Sequence, residues 1–232
     1  MKIGLLGDIH GNSRALRAVL ESARVKGVEK LCLTGDFVGY YYHPDEVLDL
    51  LAPWPNHAVR GNHEAMLFDV LEGSGSLATI EDKYGSGLRQ ALTRLTGEHI
   101  DWLRKLPERI AVDISGVRIQ IAHGAPWDGD CYLYPNSSDE SWSRVASDDF
   151  DLVVLGHTHY RFQRQVGQTL IVNPGSVGQA RDRIPGAAWA VVDTATMVCE
   201  HFTESYDISR VVAEARIHDS DKLYLQEVLT RQ

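Results

Sequence analysis

Three cysteines in 232 residues, Cys32, Cys131 and Cys199, are odd in number and widely spaced, which argues against a disulfide framework. No run of about 18 apolar residues occurs to span a membrane. The apolar segment from Met1 to Leu6 is too short for a signal peptide and is stopped by Asp8. Excess positive charge is also missing: a formal net charge of −9 disfavours a broad basic surface that grips long nucleic acid. Neither a repeat nor a linker-like or low-complexity stretch divides the chain. These absences predict a soluble, cytoplasmic protein with no membrane and no long nucleic acid among its partners. A hydrophobic content of 44% is enough for one α/β domain over 1–232 with a substantial core.

Strands and helices alternate through the first third, with crossover helices expected at 12–25 and 44–52. After the Gly73-Ser74-Gly75-Ser76 break, the chain reads as helical through Leu106. Short apolar runs separated by Gly and Asp turns dominate from Ile110 to about Phe202, among them 109–114, 118–121, 169–172 and 187–192. They suggest a second, more antiparallel sheet. The tail from Asp207 to Gln232 has helical composition and reads as a peripheral lid or outer helix.

Chemistry-bearing residues stand where five strand-like runs stop. The runs are 2–6, 30–34, 57–60, 117–122 and 152–155. They are followed by Asp8-Ile9-His10, Gly35-Asp36, Gly61-Asn62-His63-Glu64, His123-Gly124 and Gly156-His157-Thr158-His159. Core formation gives no reason to end buried strands in imidazoles and carboxylates, which are costly to desolvate unpaired. In α/β sheets, ligands gather beyond the carboxyl ends of the strands. Asp8, His10, Asp36, Asn62, His123, His157 and His159 are therefore candidate metal ligands. If the strands stay extended, residues i and i+2 share a face, so Asp8 pairs with His10 and His157 with His159 while Ile9 and Thr158 point away.

Seven donors exceed what one tetrahedral ion uses, which argues for two ions. Imidazole with oxygen, and no thiolate, suits Mn, Fe, Zn, Ni or Co better than Mg or Ca. Two dications against two aspartates leave an electropositive centre that attracts phosphate.

In this order and spacing the motifs resemble those of the calcineurin-like metallophosphoesterases, specifically their small, uncapped bacterial and archaeal branch. Asn173-Pro174-Gly175-Ser176-Val177-Gly178 stands where that branch carries a comparable turn. The resemblance implies a four-layer α/β/β/α sandwich of two mixed sheets flanked by helices. It also implies one ion held by Asp8, His10, Asp36 and His159, and a second held by Asp36, Asn62, His123 and His157. Asp36 would bridge them together with a water or hydroxide. His63 resembles the general acid that protonates the leaving oxygen, with the alternative that it merely holds Asn62. Asn12 reads as a helix cap or a phosphate contact.

Protein Ser/Thr phosphatases follow their Gly-Asp with an Asp-Arg pair, where this chain has Gly39 and Tyr40. That argues against a protein substrate. Aromatics after Asp36 (Tyr40, Tyr41, Tyr42) and after His123 (Trp127, Tyr132, Tyr134) offer a stacking surface for a nucleobase or aryl group, or else ordinary loop packing. The resulting expectation is a metal-dependent phosphoesterase, favouring phosphodiesters, that acts on small esters such as nucleotides. The competing reading is a non-catalytic or regulatory scaffold of the same fold, like the retromer subunit that has lost the catalytic histidine.

Overall fold

The computed structural model describes residues 1–147 and 149–231. From the amino terminus run β1 (Lys2–Leu6), α1 (Ser13–Val25), β2 (Lys30–Leu33), α2 (Pro44–Leu51) and β3 (Asn56–Ala58). Four helices follow: α3 (Asn62–Leu71), α4 (Leu77–Tyr84), α5 (Gly87–Arg94) and α6 (Gly97–Arg104). Next come β4 (Arg109–Ile114), β5 (Val117–Ala122), α7 (Asp139–Val145), β6 (Leu152–Val154), β7 (Arg161–Val166) and β8 (Thr169–Pro174). The chain closes with β9 (Ala187–Asp193), β10 (Val198–Glu204), α8 (Ile208–His218), α9 (Tyr224–Glu227) and a 3₁₀ turn at Val228–Thr230.

Two five-stranded sheets form, ordered β10-β9-β1-β2-β3 and β4-β5-β6-β8-β7. In the first, β1, β2 and β3 are mutually parallel and β9 runs antiparallel to both of its neighbours, β1 and β10. In the second, β5, β6 and β8 are parallel and the edge strands β4 and β7 antiparallel. The motif-bearing strands are thus the parallel ones, so their carboxyl ends share one rim of each sheet.

Strand periodicity builds the layers. Ile3, Leu5, Cys32, Ala190 and Val192 turn inward to meet Ile119, Ile121, Leu152, Val154 and Val172 of the second sheet. The alternate residues Leu6, Leu31, Leu33 and Val191 face Leu16, Val19, Leu20 and Val47 on the helices. On the far side, Val153 and Ile171 pack against Trp142 of α7. The result is the four-layer α/β/β/α sandwich. Helix α1 begins where Asn12 Oδ1 accepts the Ala15 N–H at 3.1 Å, and Pro44 opens α2 with Asp45 and Glu46 in the first turn. Among the described residues, no helix is long and apolar enough to cross a membrane.

Two expectations are corrected here. The second sheet is no more antiparallel than the first, since each has two parallel and two antiparallel pairings. The 187–192 run belongs to the first sheet, where β9 pairs with β1 through Lys2 and Asp193. The tail, expected as a lid or outer helix and with Gln232 outside the described residues, is helical through α8, α9 and the 3₁₀ turn. Val211, Ala215, Leu225, Val228 and Leu229 pack on Tyr40, Tyr41 and Tyr42.

Candidate metal centre

Loops leaving β1, β2, β3, β5 and β6 bring the seven expected donors together. His10 Nε2 lies 3.1 Å from His159 Nε2 and 3.6 Å from Asp36 Oδ2, and His159 Nε2 lies 3.4 Å from Asp8 Oδ1. On the other side, His123 Nε2 faces Asp36 Oδ2 at 3.4 Å, Asn62 Oδ1 at 3.0 Å and His157 Nδ1 at 3.1 Å. Asp8, His10 and His159 form one donor group and Asp36, His123 and His157 another, with Asp36 also grouping with His10 and His63. Asp36 therefore stands between the two halves.

The backbone that does this is not extended. Asp8, His10, Asp36, His157 and His159 have φ of 51°, 52°, 56°, 67° and 60°, in the left-handed region that non-glycine residues seldom occupy. Such residues cost on the order of 1–3 kcal/mol each and collect at sites where surrounding bonds hold them. Here the Asp8 N–H donates to Gly35 O at 3.0 Å, the His10 N–H to Asp36 O at 2.9 Å, and the His157 N–H to the Asp8 carboxylate at 3.1 Å. Ile9 and Thr158 do turn away: Ile9 joins the helix-side core and Thr158 Oγ1 accepts from Asn173 Nδ2. His157 and His159, however, divide between the two halves rather than sharing one face.

Tautomers are set from behind. The Nδ1–H groups of His10, His123 and His159 donate to the carbonyls of Val38, Thr34 and Gln179 at 3.0, 2.7 and 2.8 Å. A carbonyl only accepts, so a neutral ring of this kind presents a bare Nε2 lone pair to the centre. Two such lone pairs, on His10 and His159, face each other 3.1 Å apart in a buried site, an arrangement that a cation between them relieves. The donor set fits a metal.

Electrostatics follow from burial. Burial holds the imidazoles of His10 and His159 well below the usual histidine range. It pushes the Asp8 carboxyl up to about 7, with the His123 charge opposing. Burial also opposes ionisation of His123, but the adjacent Asp36 carboxylate pushes that ring up to about 10. Asp36 itself is held well below the carboxylate range, because His123, His63 and His10 outweigh its desolvation. Burial and the His123 charge lower His157 to about 4.

His63 sits in the first turn of α3, buried, with its N–H donating to Asp36 Oδ1 at 2.9 Å. Its ring packs against His10, Tyr40 and Tyr84 at centroid distances of 4.8, 4.9 and 5.0 Å. His63 Nδ1 has no hydrogen-bond partner among the described residues. Gly39, at φ 86°, is what lets the Tyr loop pass so close, since a Cβ there would overlap His63 Nδ1. Burial lowers the His63 pKa, with Asp36 pulling the other way.

The expected substrate contacts fare unequally. Asn12 caps α1: its Oδ1 takes the Ala15 N–H, and its Nδ2 donates to Gly178 O at 3.0 Å and Tyr206 Oη at 3.2 Å. Tyr41 and Tyr42 are buried against the tail, so the Tyr loop offers no open aromatic wall. Tyr40 is buried edge-on against His10, with its hydroxyl receiving an Arg181 N–H at 2.9 Å. Trp127 does reach a cleft, of about 360 Å³, shared with Arg60, Asn62 and His123. Tyr132 lies over His157 at 4.0 Å and stacks on Tyr134.

Two residues escaped sequence reasoning. The Glu64 carboxylate accepts the N–H groups of Asp36, Phe37, Val38 and Gly61 at 2.8, 2.8, 3.1 and 2.8 Å, shaping the loop that presents Asp36. Its spacing from Gly61, three residues into a helix, is the signal of a carboxylate turning back on a helix start. Burial beside Asp36 pushes it up to about 7 against the pull of those donors. Arg181 follows the Asn173–Gly178 turn, its N–H donating to His159 O at 3.2 Å. Its guanidinium is held by the Tyr40 hydroxyl and by Gln179 Oε1 at 2.7 Å.

Residues 1–197 match the family model described as the calcineurin-like phosphoesterase superfamily domain. An uncharacterized protein of Methanocaldococcus jannaschii is 31% identical over 229 residues, covering 90% of this chain and 89% of that one. A phosphodiesterase of the same archaeon is 24% identical over 181 residues, 75% of this chain and 83% of its own. The crystal structure of a metallophosphoesterase from Sphaerobacter thermophilus superposes with a TM-score of 0.80 at 25% identity, covering 100% of this chain and 98% of that one.

Proposed function

The chain belongs to the calcineurin-like phosphoesterase superfamily, and on that premise we propose that it hydrolyses small phosphate esters, diesters in preference, at a pair of divalent transition-metal ions. The carrying observation is the pair of bare imidazole nitrogens, His10 Nε2 and His159 Nε2, 3.1 Å apart beside an Asp36 carboxylate that faces both halves. Asp8, His10, Asp36 and His159 would hold one ion, and Asp36, Asn62, His123 and His157 the other. When bound, such a pair supplies a hydroxide nucleophile near neutral pH and balances the charge that builds on the phosphoryl oxygens.

The chain's own groups do the rest. Asp36 is oriented by its Oδ1, which the His63 N–H anchors, so that Oδ2 is left for the centre. His63 is placed by packing and not by a side-chain hydrogen bond, which leaves its proton free for the departing oxygen. That role contributes about 10²–10⁴-fold in comparable sites. Trp127 and Arg60 border the cleft at Asn62 and His123, where a leaving group would lie. The diester preference draws on the phosphodiesterase named among the relatives.

The test is hydrolysis of bis(p-nitrophenyl) phosphate and p-nitrophenyl phosphate by metal-stripped protein reloaded with Mn²⁺, Ni²⁺, Fe²⁺ or Zn²⁺. Metal-dependent turnover with the diester ahead is the expected result. Two bound metals with no turnover of either ester would replace the enzyme by the scaffold reading.

A further inference from the structure

Beside the His10–His159 half lies a second concavity, of about 230 Å³, lined by Tyr160, Gln179, Arg181, Arg183, Tyr224 and Arg231 together with Val228. Three arginines are among its lining residues and, among the described residues, no carboxylate lines it, in a chain whose net charge is −9. Nearby carboxylates neutralise them only in part. Asp182, between Arg181 and Arg183, is paired with Arg161. Arg231 makes an exposed ion pair with Glu227 at 3.7 Å, and Arg183 has no hydrogen bond or ion pair among the described residues. Arg181 is held by a phenol and an amide, both neutral.

From this geometry we infer that the concavity is an anion subsite, and that the substrate is an ester carrying a second phosphate group, as in a nucleoside polyphosphate or a dinucleotide. The inference rests on the phosphoesterase reading for its catalytic meaning. Its connection to the centre is non-covalent and short: the Arg181 N–H donates to the carbonyl of His159, and the Arg181 side chain meets Tyr40, whose ring packs on His10. Guanidinium forks suit phosphate oxygens in pairs. A phosphate at the metals and its neighbour at the arginines would span the two sites, with Tyr160 and Tyr224 flanking the second group.

Binding is read first in metal-stripped protein, by calorimetry with pyrophosphate and with inorganic phosphate, so that no turnover is needed. Wild-type protein is expected to bind pyrophosphate roughly tenfold or more tightly than phosphate. The double substitution Arg183→Ala with Arg231→Ala removes that preference, while Lys at both positions restores most of it. In the Mn²⁺-loaded enzyme the Ala pair is expected to leave kcat/KM for bis(p-nitrophenyl) phosphate within about twofold of wild type, since that ester has no second phosphate. A pyrophosphate preference absent in wild type, or unchanged in the Ala pair, overturns the subsite. Failure of the diester to turn over overturns the catalytic reading and leaves the calorimetric result standing.

Discussion

The two halves of the centre use similar donors but differ in what covers them. Asp8, His10 and His159 lie beneath Tyr40, which is enclosed by Tyr84, Tyr224 and Arg181 and backed by the tail helices. Asn62 and His123 instead border an open cleft, and His157 is roofed by Tyr132, which is 52% exposed. Backbone carbonyls set the tautomers of both closed-half rings, His10 and His159, and of His123 in the open half. The open half keeps one neutral, partly exposed amide among its donors. On the proposed two-ion reading, the difference implies a division of labour, with one side suited to retaining an ion and the other to exchanging ligands.

The largest effect is expected where the halves meet. Asp36→Asn removes the shared charge, and kcat/KM should fall by about 10³-fold or more, several kcal/mol of transition-state stabilisation. Metal analysis of the purified variant should show loss from both halves. A variant that keeps two tightly held ions would break the picture of a shared carboxylate. Next comes His63→Ala, expected to lose about 10²–10⁴-fold in kcat with metal content unchanged. If His63 only steadies Asn62, metal content falls with activity, and an Asn in its place, which keeps some of the packing between Tyr40 and Tyr84, shows whether the empty volume is to blame.

Unequal retention is the direct test of the comparison. Ions at 100 times their Kd stabilise a folded chain by about 2.7 kcal/mol, a rise of a few degrees in Tm for a domain of this size. Asn62→Ala is expected to keep most of the metal-induced rise, and His10→Ala to lose most of it. Equal losses would make the closed and open halves equivalent.

How far the sequence shows this centre is instructive. The donors were legible because imidazoles and carboxylates at the ends of apolar runs have no account in core packing, and β1, β2, β5 and β6 were legible as those runs. Strand β7, Arg161–Val166, was not, because as an edge strand it is largely polar and lacks an apolar run. The start of α3 was hidden by its own motif, since Asn62 and His63 read as site residues before they read as a first turn. The sheet to which β9 belongs depends on pairing with β1 from the far end of the chain, which no local pattern encodes. Glu64 and Arg181 were missed for the same reason: their roles lie in partners distant in sequence, the loop after β2 and the Tyr40 hydroxyl. Extended backbone was a fair inference for Asp8 and His10 from the strand before them. The left-handed φ values exist only because the sheets fix the bonds on either side.

Glu64 leads to a smaller, sharper expectation. Glu64→Gln keeps the shape but turns one acceptor oxygen into a donor facing backbone N–H groups, so the Asp36 loop should loosen. Metal affinity should drop by about 10–100-fold, as for other groups that orient ligands from behind. Full recovery of kcat at saturating Mn²⁺ would separate this positioning role from chemistry, whereas a kcat deficit that persists at saturation would assign Glu64 a part in the reaction itself.

The smallest effect belongs to the rim of the open half. One face of Trp127 is met by the Arg144 guanidinium at 3.9 Å from the ring centroid, and the indole also borders the cleft at Asn62 and His123. A nucleobase or aryl leaving group stacked there would gain about 1–3 kcal/mol at most, and a half-exposed ring should deliver the lower end. Trp127→Ala is therefore expected to raise KM for aryl and nucleotide esters about fivefold and to leave KM for a simple alkyl diester alone. Because the closed half has its aromatic, Tyr40, buried against His10, the matching change Tyr40→Phe should act through the lost Arg181 hydrogen bond and move both ester classes together. If Trp127→Ala also shifts both classes alike, the cleft is a structural margin and the open half discriminates nothing.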